Sequence, residues 1–308
     1  MATLQTLANV ADPRIRGIWN EANTQLSKRL EYMKLGFKDI SAEILAPQYQ
    51  NFSGHGLAAP TGEGSPYSTS NRVQGYNVTI QPQKFTDSAM ITEEMLRFNL
   101  WPEINNETQA VAQALNGRVD TDAAKIFYLG AGTTYFTGGD ASALFVTNHS
   151  MKDGSTQSNS STNVLSYDNL KTAAQAMDRF YDDKAIQMLP CRKLRLVVAR
   201  EKKERAEEVL RSIGNPDNAN RVSNVFNNGE GYIDLVVANW VPVTTYSTYW
   251  YLIDMERAAM MAKMVWGWRP KFDDDKVINN GTIVYTGSTM YQPGFSSWQW
   301  AYGSQATT

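Results

Sequence analysis

The 308-residue sequence predicts an α+β fold, and three observations carry that reading. Apolar residues recur at helical spacing in two separate segments of the first half. A period-two strand pattern lies between them, and helix-type and strand-type segments alternate through the second half. At this length a 42% hydrophobic content suffices for one large or two medium domains with cores.

The first helix is predicted over residues 12–33, with Asp12 as N-cap and Pro13 at the first helical position, where a missing N–H does no harm. Ile15, Ile18, Ala22, Leu26, Leu30 and Met33 fall at spacings of three and four and form one apolar face. Nothing beside it in sequence covers that face, so its partner is a distant part of the chain or a neighbouring subunit. Residues 48–83 are rich in glycine and proline, and Glu63 and Arg72 are their only charges. Tyr76, Val78 and Ile80 alternate there with Asn77, Thr79 and Gln81, as in a strand with one covered face. A structureless loop of this length is unusual inside a compact domain, so the segment reads as a protruding hairpin covered by another molecule. The alternative is a disordered linker between two domains.

Next comes a short turn capped by Thr92, a break at Trp101-Pro102, and a long helix whose apolar face is Ile104, Val111, Leu115, Val119, Ala123 and Ile126. Gly130 stands where a C′ glycine ends such a run, and residues 102–129 span roughly 40 Å at 1.5 Å per residue. Gly117 is a candidate bend. The glycine-rich turn from Gly130 to Asp140 is not a phosphate loop, since no Gly-Lys-Ser or Gly-Lys-Thr closes it. A polar link over residues 153–159 leads into a mixed α/β unit. Ser166 caps a helix bearing Leu170, Ala173, Ala174, Met177 and Phe180. Leu194 to Ala199 is a buried-type strand, and a charged helix over 201–213 ends at Gly214. Further strands are expected at 232–241, 250–253, 282–285 and 298–302, with a turn around Asn227-Asn228-Gly229. Six of the eight tryptophans follow residue 239, so this end supplies much of the large apolar surface.

Composition and motifs remove most chemistry. A net charge of −2 exerts no global pull on phosphate or anionic lipid. The first residues carry no signal-peptide pattern, and no stretch approaches the ~18 apolar residues of a membrane span, so the chain reads as soluble and cytosolic at synthesis. The single cysteine, Cys191, excludes an internal disulfide and reads as a core residue. His55 and His149 are the only histidines, and no nucleophile elbow surrounds any serine, so no catalytic residues are assigned. Cys191 and two separated histidines do not make a zinc site, and Asp273-Asp274-Asp275 lacks the calcium-loop pattern and reads as a solvated acidic turn. No metal or cofactor is expected. The basic run Arg192, Lys193, Arg195, Arg200, Lys202, Lys203 and Arg205 is read as a salt-laced helix face, with Glu201 four before Arg205 and Glu207 four before Arg211. No aromatics interleave with it as a nucleic-acid platform requires.

The order of elements resembles the tailed-bacteriophage major capsid family and its HK-97-type fold, most closely the Mu-like head subunit branch. The resembling stretches are Leu144-Phe145-Val146-Thr147-Asn148-His149, Gly154-Ser155-Thr156-Gln157-Ser158-Asn159, Leu165-Ser166, Leu196-Val197-Val198-Ala199, Trp250-Tyr251-Leu252-Ile253-Asp254 and the ending 287–304. The resemblance implies an N-terminal arm at 1–46, an extended hairpin loop at 47–83, a peripheral domain with a long spine helix at 84–164 and 265–308, and an α/β axial domain at 165–264. It implies a non-enzymatic subunit that self-assembles as pentamers and hexamers into an icosahedral shell around packaged double-stranded DNA, which it touches only non-specifically. Expected partners are further copies of the chain, a separate scaffolding protein, a portal and a decoration protein; the expected location is the virion capsid, after synthesis in the host cytoplasm. Ile18, Trp19 and Leu26 on the helix and Tyr76, Val78 and Ile80 on the arm are the expected intersubunit contacts. Some members of the fold join subunits through an extended-loop lysine, but this arm has none between Gln48 and Gln83, and Lys84 stands only at its base. The expected shell is therefore non-covalent. Two competing readings are an encapsulin-type cargo compartment and, more remotely, an enzyme gathering His149 with a serine and an acid.

Overall fold

Helix α1 runs Leu4–Ser27 in the computed structural model, which describes residues 4–55, 58–67, 69–217, 222–228, 233–273 and 282–305. It starts earlier and ends sooner than the spacing predicts, and Pro13 lies inside it. Asp12 pairs with Arg16 one turn on (3.1 Å) and does not open the helix. Ala11 carries the buried face a turn upstream of Ile15, so packing outweighs the cost of an interior proline. Beyond α1 the chain tightens into a 3-10 turn, Tyr32–Leu35, and enters β1 (Lys38–Ser41).

The arm is a hairpin of β2 (Gln48–Phe52) and β3 (Gln74–Thr79), and β4 (Gln83–Thr92) follows it. Thr92 caps α2 (Glu93–Arg97), its hydroxyl accepting from the Met95 amide. The spine helix α3 is one 28-residue run, Trp101–Tyr128, roughly 42 Å long. Gly117 does not break it. A Cβ there would lie 3.3 Å from the Trp240 ring, so the glycine is a seat for that indole.

The second unit opens with a short hairpin, β5 (His149–Ser150) and β6 (Thr156–Gln157), and then β7 (Ser160–Ser161). Ser166 caps α4 (Tyr167–Asp178) as expected, its hydroxyl accepting from the Asn169 amide. Strand β8 (Leu194–Ala199) matches the sequence reading, but the charged helix α5 is only Lys203–Arg211, preceded by a 3-10 turn. There follow α6 (Val225–Asn228), β9 (Ile233–Ala238), α7 (Val243–Tyr246), β10 (Trp250–Asp254) and α8 (Met255–Met261). Two long strands, β11 (Ala262–Asp273) and β12 (Thr282–Phe295), lead to the final strand β13 (Ala301–Ser304). Gly229, Tyr232, Asp274, Asp275 and the chain ends 1–3 and 306–308 lie outside the described residues.

Two sheets organise these elements. One has the order β1-β11-β12-β4, with β12 antiparallel to both neighbours and β1 parallel to β11. Helix α3 lies on it so closely that a Cβ on Gly287 of β12 would meet Val111 and Leu115 at 2.7 and 2.8 Å. The same helix ties to β12 through Asp122, which is buried, accepts from the Tyr291 hydroxyl (2.8 Å) and pairs with Arg118 and Lys125. The other sheet has the order β7-β13-β10-β8-β9. Its fourth and fifth strands are the predicted α/β pair, and β13 pairs with β10 and β7, so residues 301–304 belong to this second sheet. Phe37, Phe127, Phe145, Tyr251 and Trp300 interlock at ring spacings of 5.3 to 6.1 Å and make one core continuous between α3 and the sheet of β8 and β10.

Candidate assembly surfaces

The predicted contact residues divide into two groups. On α1, Trp19 is buried within its own subunit and stacks on Phe272 of β11 at 5.4 Å. The cover for Trp19 thus comes from a distant part of the same chain. The missed signal is the spacing Ala11, Ile15, Trp19, which runs one residue round from the stripe chosen in the sequence. Ile18 and Leu26 are half-buried and line, with Glu21, Gln25, Gln109 and Gln113, an open cleft of about 300 Å³ between α1 and α3.

On the arm, Val78 and Ile80 are also buried at home, against Val265, and so turn inward where an outward face was expected. Tyr76 is half-buried, with the Lys152 ammonium 3.8 Å above its ring. The arm root is held by polar bonds. The Gly54 amide donates to Asp182 (2.7 Å), the Lys184 ammonium reaches the carbonyls of His55 (3.3 Å) and Asn71 (3.0 Å), and Arg72 donates to the Ser53 carbonyl. Beyond that root, residues 58–67 and 69–72 are exposed throughout, and Tyr67 at 90% exposure has almost no cover. A root held by the subunit's own polar bonds therefore carries a distal loop whose described residues are exposed.

The groups tested for catalysis are arranged for packing. His149 is fully buried and stacked on Trp298 at 4.2 Å; its Nδ1 faces Asp140 at 2.7 Å, and its Nε2 faces the Leu144 carbonyl and the Asn159 amide oxygen. Both ring nitrogens are engaged and neither faces a serine hydroxyl. His55 sits on the exposed arm beside Ser70. Burial pushes the Cys191 thiol well above its ordinary range, which keeps it protonated and unreactive. Arg205 pairs with Glu208 and Asp217, not Glu201, because Glu201 lies in the 3-10 turn ahead of α5 and shares no helical face with it.

A family model described as "Phage capsid protein" matches residues 75–303, well over half of the chain. Solved structures with a similar fold include the capsid of a native GTA particle (12% identity, TM-score 0.55, 90% of each chain covered). The mature capsid of bacteriophage PhiM1 aligns at 10% identity and TM-score 0.54 over 89% of this chain and 86% of that one. A structure of Mycobacterium phage Patience aligns at 10% identity and TM-score 0.54 over 95% and 88%. No curated protein matches the sequence.

Proposed function

Because the chain belongs to the phage capsid protein family, we propose that it is the major head subunit of a tailed bacteriophage, with the HK-97-type fold, assembling as pentamers and hexamers into an icosahedral shell around the genome. The observation that carries the assembly role is the arm: a root locked by Asp182 and Lys184 and a distal loop exposed on every described residue. In a closed ring each such loop lies on the next subunit, and many modest contacts summed around the ring stabilise a shell that no single pair would hold. The division of labour follows the two sheets. The spine α3 with the β11/β12 sheet forms the peripheral part, and α4 to α8 with the β8/β10 sheet, now including β13, forms the axial part. Ile18 and Leu26, half-open on the α1/α3 cleft, and Tyr76 at the arm root remain the residues offered to neighbours.

The role is structural. A net charge of −2 suits a wall that contacts packaged DNA without gripping it. A separate scaffolding protein, a portal and a decoration protein complete the proposed assembly, which forms in the host cytoplasm and persists in the virion. The test is deletion of the arm tip, residues 58–67. The expected product is a folded subunit with unchanged far-ultraviolet circular dichroism that fails to build stable shells. Normal heads from this deletion would remove the arm from the assembly mechanism.

A further inference from the structure

Hydrogen-bond roles around His149 fix a hydrogen on its Nε2. The Asn159 amide nitrogen donates to the carbonyls of Leu144 (2.7 Å) and Ala301 (3.0 Å), so its oxygen is the atom that faces His149. That oxygen also accepts from the Val146 amide. The His149 Nε2 thus meets two acceptors, the Asn159 oxygen at 3.1 Å and the Leu144 carbonyl at 3.2 Å, and must carry a hydrogen. On the other side Nδ1 meets the Asp140 carboxyl at 2.7 Å, a contact that requires one more proton between them. The pair is fully enclosed, and the flat stack on Trp298, itself edge-on to Phe180, allows the ring no swing.

The clasp sits directly under the arm. Gly139, the residue before Asp140, has no side chain because β3 occupies its place: a Cβ would stand 2.9 Å from the Tyr76 Cβ and 3.0 Å from the Asn77 carbonyl oxygen. A half-open cleft of about 20 Å³ lies along the seam between arm, glycine-rich turn and Trp298. The charges around the seam are Asp140, Asp183 and Lys152, with Asp182 and Asp153 beside them and the Arg257–Asp254 pair beyond Phe180.

We propose that the proton-sharing Asp140–His149 pair is a positioning clasp that sets the pose of the extended arm, acting through Gly139 on β3. Asp140 fixes the turn, the turn presents Gly139, and Gly139 fixes the height at which Tyr76 and Asn77 cross the body. The inference concerns the unassembled subunit and stands or falls independently of shell formation. Its test combines a spectroscopic signature with a local readout. With 15N-histidine labelling the chain has two ring systems, and His55→Gln leaves only that of His149. Two slowly exchanging ring-proton signals are expected, one on Nε2 and one held between Nδ1 and the Asp140 carboxyl; a single ring proton with none held on the Asp140 side overturns the clasp. In Asp140→Asn and, independently, His149→Gln, amide exchange at 48–54 and 73–80 is expected to rise at least about tenfold, while β8 and β10 keep their protection. Gly139→Ala should raise the same arm amides with both ring-proton signals intact. Unchanged arm exchange in the folded variants, or an equal rise in β8 and β10, refutes the positioning role, and the ring signals decide the clasp even if one variant does not fold.

Discussion

Replacing Asp120 by asparagine should stabilise the subunit at neutral pH, although the residue is buried and hydrogen-bonded. Asp120 lies on the inner face of α3, where its carboxyl accepts from the Tyr32 amide at 3.0 Å. Burial pushes its pKa from 3.8 up to about 6, and the Glu31 charge pushes the same way, against the backbone bonds of Glu31 and Tyr32 and the Trp240 indole. The folded-state pKa is above the unfolded one, so the folded subunit binds the extra proton between pH 3.8 and about 6. The associated stability is fully present below the unfolded value and is lost as pH rises through the folded value. A shift of this size corresponds to a ceiling of ~3 kcal/mol against the ionised fold at pH 7. Asparagine keeps an oxygen for the Tyr32 amide but adds an NH₂ with no assured acceptor, which reduces the expected gain to ~1–2 kcal/mol. Urea unfolding of the unassembled subunit, followed by tryptophan fluorescence, reads this directly. The variant should exceed the native chain at pH 7.5, and the difference should vanish near pH 4.5. A variant less stable at pH 7.5, or an equal gain at both pH values, refutes the reasoning.

Arg257→Ala should cost about 3–5 kcal/mol, because the buried guanidinium serves the carbonyls of Met177, Gln299 and Leu189 and neutralises Asp254, which would be left charged in the core. Urea melts of the free subunit measure it. Trp19→Ala should lower the stability of the same free subunit by ~3–5 kcal/mol, since its indole is closed over by Phe272; no loss before assembly would return Trp19 to the intersubunit surface. Mature particles boiled in detergent under reducing conditions should run as a single band at 34.5 kDa, as expected of an arm without lysine, whereas a ladder would reveal covalent joining.

Much of the fold is legible where one local rule acts alone. The stripe from Ile104 to Ile126 builds one face of α3, the Ser166 hydroxyl starts α4, and the run Leu-Arg-Leu-Val-Val-Ala is β8 to the residue. Legibility fails where tertiary packing overrides the local signal. Pro13 looks like a helix start, yet the Ala11–Ile15–Trp19 face is worth more buried than the proline costs inside. Strand β11 is hidden by Gly267 and Pro270, which the structure absorbs as register shifts at Trp266/Trp268 and Trp268/Lys271. The sequence likewise cannot say that the last strand joins the sheet of β8 and β10, because β13 is placed by pairing with β10, some fifty residues earlier. For the assembly surface, alternation identified the arm strand but not which side faces home: Val78 and Ile80 turn inward, and the exposed part is the loop that carries no pattern at all.

Electron microscopy of the purified chain, produced alone and together with its neighbouring genes, tests the shell-forming role most directly. Closed particles of uniform diameter whose reconstruction resolves five-fold and six-fold rings of this subunit, each arm lying on the adjacent copy, are the predicted result. A stable monomer or small closed oligomer under every condition, with no shells even alongside scaffold and portal, would contradict it.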